Sequence, residues 1–112
     1  MKLVTYANTP LLIGDEAADL LLRFAASLAN LGRADVVVVK AIGTQGESID
    51  VTFLLDAGSV MLSKQADSEL AEPENSTAVS YMRDRMHALE QPLHVRQGVA
   101  AEVDDVSQSF LD

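Results

Sequence analysis

The stretch between Gly14 and Gly32 constrains the fold more than any other part of the chain. Its polar residues Glu16, Asp19, Arg23, Ser27 and Asn30 are spaced three, four, four and three apart. That rhythm is the helical repeat, and it predicts a helix from Asp15 to Leu31. Asp15 is placed to cap it, Glu16 suits the positive end of its dipole, and Gly32 is a natural stop. All five polar residues fall on one narrow stripe, and the remaining surface is Ala, Leu and Phe. A helix on the outside of a domain normally carries a wider polar face. Leu21, Phe24, Leu28 and Leu31 can therefore cover a sheet, while Leu20, Leu22, Ala25, Ala26 and Ala29 need a second cover. A second helix or a second copy of the chain would supply it, and Leu20, Leu22, Ala26 and Ala29 form a candidate interface.

The segments around this helix read mainly as strands. Lys2 to Tyr6 is a short strand followed by a turn at Ala7-Asn8-Thr9-Pro10, and Leu11-Leu12-Ile13 either extends the sheet or leads into the helix. Asp35 to Ile42 contains four consecutive valines, the pattern of a central strand buried on both faces. After Gly43–Glu47, residues Ser48 to Asp56 alternate, with Ile49, Val51, Phe53 and Leu55 on one side. Asp56-Ala57-Gly58 then turns the chain into a third strand, Ser59 to Lys64, giving an antiparallel meander. Ala66 to Asn75 is a linker. A second helix starts around Pro73 and Ser76 and ends before Pro92, with Val79, Met82, Met86 and Leu89 on one stripe. Leu93-His94-Val95 is a possible further short strand.

These elements add up to an α+β fold, a two-layer sandwich in the order β-α-β-β-β-α. A right-handed crossover through the first helix would place the first strand parallel to a meander strand, making the sheet mixed but mostly antiparallel. With 112 residues the chain has room for one domain, assigned to residues 1–98. Residues 99–112 form an acidic tail. There Val99, Val103, Val106 and Phe110 recur at the spacing of a marginal amphipathic helix.

Composition narrows the function. Seventeen acidic residues against eight basic ones give a formal net charge of −9, which disfavours general binding to nucleic acid or anionic membranes. No apolar run approaches the roughly 20 residues of a membrane span. The chain has no cysteine, so disulfides, thiolate metal sites and a cysteine nucleophile are excluded. Asn8, Thr9 and Pro10 interrupt the first apolar residues before a signal-peptide core could form, so the expected location is cytoplasmic.

Familiar catalytic patterns do not assemble. His87, Glu90 and His94 superficially resemble a metal triad, but Pro92 breaks the helix between Glu90 and His94. None of Ser59, Ser63, Ser76 and Ser80 lies in a Gly-x-Ser-x-Gly elbow. Gly43 and Gly46 sit between strands rather than ahead of a helix, and Asp15-Glu16 after Gly14 would repel phosphate. The adjacent carboxylates of Asp15-Glu16 and of Asp104-Asp105 diverge on a helix. No catalytic residue, cofactor or metal is assigned.

Several stretches resemble a group of small, uncharacterised actinobacterial proteins. They are Leu3–Tyr6, Gly14–Asp19 with Leu20 to Ala29, Ala34–Val37, and Thr52–Leu55 leading into Gly58-Ser59, within the first two-thirds of the chain. The resemblance implies a bacterial cytoplasmic setting and carries no activity with it. The leading expectation is a non-enzymatic protein-interaction module that self-associates as a homodimer. One alternative is a small-molecule-binding domain or enzyme with a pocket between helices and sheet, lined by Tyr6, Tyr81 and His87. Another is an acidic inhibitor imitating nucleic acid. In the tail, Val103, Asp104, Asp105, Val106 and Phe110 are candidates for a docking element toward a protein partner.

Overall fold

The computed structural model describes residues 1–90. Five strands and two helices follow one another as β1 (Lys2–Tyr6), β2 (Thr9–Ile13), α1 (Asp15–Asn30), β3 (Asp35–Ile42), β4 (Ser48–Leu55), β5 (Met61–Gln65) and α2 (Ser76–Glu90). The fold is α+β, with both helices packed on one open sheet of order β4-β3-β2-β1-β5. The expected short strand at Leu93–Val95 and the tail candidates Val103, Asp104, Asp105, Val106 and Phe110 lie outside the described residues.

α1 ends as its sequence requires. Gly32 takes φ +64°, Gly32 N donates to the Ala29 carbonyl at 3.2 Å, and Arg33 N donates to the Leu28 carbonyl at 2.9 Å. These paired bonds are a Schellman cap. At the other end the N-cap is Gly14, one residue before the expected Asp15, and Gly14 supplies no side-chain cap. The Glu72 side chain lies where a Cβ on residue 14 would stand, which gives the glycine a packing reason.

The sheet differs from the expected one in three places, each with a local cause. Thr9–Ile13 is a full strand, in register with β1 from Tyr6↔Thr9 to Lys2↔Ile13. Pro10 is tolerated because its nitrogen faces away from β1, toward the side where β2 meets β3 only at Leu12↔Ile42. Because β2 separates β1 from β3, every neighbouring pair is antiparallel and the sheet is not mixed. The third difference is β5, which pairs with β1 and not with β4, so the expected meander stops after two strands. A strong curl makes this possible. Tyr6 packs edge-on against Phe53 with ring centroids 5.4 Å apart, and its hydroxyl donates to the Leu54 carbonyl. Ala7 N donates to the Val60 carbonyl at 2.8 Å. The end of β1 therefore meets the end of β4, and the short Asp56–Val60 connection spans what remains.

The core fills the inside of this curl. Val4, Ile13, Leu21, Phe24, Val39, Leu55 and Met82 are fully buried, with Leu28 and Phe53 almost so. Their removal from water is the main stabilising term. α2 contributes Ala78, Val79, Met82 and Met86 to the same cluster and packs on α1. It is thus the second cover that the broad apolar surface of α1 calls for.

Candidate functional site

Three features of the surface could serve as sites, and the first is the polar cluster that ties α2 to β3. The Tyr81 hydroxyl lies 2.9 and 2.7 Å from the two Asp35 carboxylate oxygens, Arg85 Nε lies 3.3 Å from Oδ2, and Val36 N donates to Oδ1 at 2.7 Å. Burial works to raise the Asp35 pKa, but these three donors outweigh it and hold the carboxyl below its ordinary value. The Tyr81 hydroxyl is pushed up, first by its bond to Asp35 and then by burial. Tyr81 also meets Phe24 edge-on, with centroids 6.4 Å apart. Both Asp35 carboxylate oxygens and the Tyr81 hydroxyl are engaged within the cluster, and the arrangement ties α2 to the start of β3.

Tyr6 and Tyr81, proposed above as pocket walls, each carry a structural bond: Tyr6 to the Leu54 carbonyl, Tyr81 to Asp35. His87 is an exposed residue of α2. His94 lies outside the described residues, as does any triad containing it. Among the described residues no group of three or more His, Cys, Asp or Glu is placed to hold a metal ion.

The second feature is an open depression of about 210 Å³ between α1 and the β4–β5 connection, lined by Leu22, Ala25, Ala26, Ala29, Asp56, Ala57, Ser59 and Met61. It contains three of the four candidate interface residues. The fourth, Leu20, is only 4% exposed and belongs to the core. Leu22 and Ala29 are half-buried and Ala26 is exposed.

The third feature is the outer face of the β3–β4 hairpin. Val36, Val38 and Leu54 are 50%, 55% and 55% exposed. Val36 lies opposite Leu54, and Val38 lies opposite Thr52 on the same face. Val37 and Val39 point inward and are buried, so β3 alternates and is not buried on both faces as its valine run suggests. Lys40 was the signal in the sequence. It shares the parity of Val36 and Val38, and an exposed lysine fixes that whole side of the strand as outward. The Lys40 and Asp50 side chains face each other across the hairpin at 3.4 Å. The face is consequently apolar at one end and charge-balanced at the other.

No known family model, curated protein or solved structure matches the chain. No described helix is long and apolar enough to cross a membrane.

Proposed function

We infer that this chain is a non-enzymatic interaction module that self-associates, working in the bacterial cytoplasm that its sequence resemblance implies. The observation that carries the reading is the contiguous Val36, Val38 and Leu54 surface on a hairpin at the edge of the sheet. Clustered exposed aliphatics of this kind are used for contact, whereas scattered ones are ordinary. Electrostatics favours the same face. A chain of net charge −9 repels its own copies, and they approach with least penalty through a surface whose charges cancel. Lys40 and Asp50 cancel on this one.

Light scattering on the full-length chain across a concentration series tests the reading. A mass rising from monomer to dimer is expected. Val38→Glu should abolish the rise, while Leu22→Glu in the α1 depression should leave it in place. A monomer at every concentration overturns self-association, and a dimer lost only with Leu22→Glu moves the contact to α1.

A further inference from the structure

We propose that two copies join edge to edge through β4, forming one continuous antiparallel sheet with Asp50 of each copy opposite Thr52 of the other. The proposal rests on the self-association inferred above and specifies how it is made.

The hydrogen-bond parity of the hairpin shows which backbone groups are available. Lys40 turns its N–H and C=O away from β4, where both are satisfied by the Asn75 side chain at 2.8 Å each. Gly43 N donates to the Glu47 carbonyl, which fixes the alternate residues as the pairs bonded across the hairpin. Lys40↔Asp50 is thus a non-bonded pair, and on β4 the backbone groups of Ser48, Asp50, Thr52 and Leu54 point to the open edge. The Leu54 carbonyl confirms the parity, because it accepts from Tyr6 and from Ser59 Oγ at 3.3 Å. Those two donors close one end of the edge. Along Ser48, Asp50 and Thr52 no described residue pairs with the backbone.

The other edges are less suited. β3 is closed toward α2 by Asn75 at Lys40 and by the Asp35 carboxylate at Val36. β5 is only five residues long and carries Lys64, two devices that blunt an edge. β4 is eight residues long, and its single charged residue, Asp50, is balanced by Lys40.

A second copy is the occupant that fits. Three half-exposed aliphatic side chains fall well short of the ~800 Å² per partner that stable interfaces bury, so the backbone edge must take part. Several symmetric registers satisfy the parity. Centring on Ile49 overlaps only the first three residues of each β4. Centring on Thr52 pairs Asp50 with Leu54, whose carbonyl Tyr6 and Ser59 already occupy. The registers centred on Asp50 and on Val51 remain. One sets Asp50 against Asp50 of the second copy, which like charges disfavour. The other, centred on Val51, sets Asp50 against Thr52 in both directions and leaves Lys40 beside each Asp50. In that register the outer faces of the two hairpins become one surface, with Val36, Val38 and Leu54 at either side of the junction.

Amide hydrogen exchange on the full-length wild-type chain, dilute and concentrated, reads the edge directly. Exchange at Asp50 and Thr52 should slow by roughly tenfold where about nine-tenths of the chain is paired, because only the free edge exchanges. A Val51→Cys variant adds the register. It would be the only cysteine in the chain and would face its own copy in a non-bonded pair, within disulfide reach, so a covalent dimer should form on mild oxidation. A Val38→Cys variant, one strand away from the junction, should not cross-link. If light scattering shows a dimer while Asp50 and Thr52 exchange equally fast at both concentrations, edge pairing is overturned and self-association stands. If the wild type is monomeric throughout, both fall.

Discussion

Ala7 holds φ at +56°, a conformation that costs an L-residue about 1–2 kcal/mol. It occupies the first central position of the two-residue turn between β1 and β2, where glycine is the usual choice. Ala7→Gly should therefore stabilise the fold by about 0.5–1 kcal/mol once glycine's own entropy cost is deducted; chemical denaturation measures it. The sequence marks a turn over Ala7–Pro10, but Thr9 and Pro10, residues of turn chemistry, already belong to β2, and only Ala7 and Asn8 lie between the strands. Asp35 offers a pH-dependent test. Its carboxyl is depressed in the folded chain, so its contribution is complete at neutral pH. The contribution begins to fade as pH falls through the ordinary value of about 3.9 and is gone below the folded value. Asp35→Ala should cost about 1–3 kcal/mol at pH 7, and its deficit against wild type should shrink in acid. In a Tyr6→Phe background Tyr81 is the only tyrosine, and its absorbance titration should have a midpoint above the ordinary value of about 10. Adding Asp35→Ala should bring that midpoint back down.

At the scale of elements, both helices were legible because one face of each repeats at helical spacing. Val79, Met82 and Met86 are buried as their stripe requires, with Leu89 half-buried beside them. Strand existence was mostly legible, but strand partnership was not. Partnership depends on curl, and curl is set by contacts such as Tyr6 with Leu54 that lie 48 residues apart in sequence. Asn75 is another long-range device. Both polar ends of its side chain bond to the Lys40 backbone, so it serves β3 in place of a neighbouring strand. Nothing in the linker composition announces this. Asn75→Ala removes both bonds from a half-buried site and should destabilise by about 1–3 kcal/mol in a urea titration, with Ser76→Ala costing less. The candidate interface shows the same limit. The stripe of α1 correctly demanded a second cover, but sequence alone could not choose between α2 and another copy. The burial of Leu20 in the core beside α2 residues gives part of that answer.

For the whole molecule, a strongly acidic chain folds so that its charged residues share out unevenly. Glu16 pairs with Arg83, Asp19 with Lys2 at 2.6 Å, and Asp35 with Arg85, each joining separate elements of the fold. The β3–β4 outer face is left with one lysine, one aspartate and three exposed aliphatics. NMR of the full-length chain over a dilution series tests self-association through that face. Concentration-dependent shifts should cluster at Val36, Val38, Asp50, Thr52 and Leu54, with Leu22, Ala26 and Ala29 unmoved. Spectra that do not change with concentration, or changes centred on the α1 depression, would contradict it.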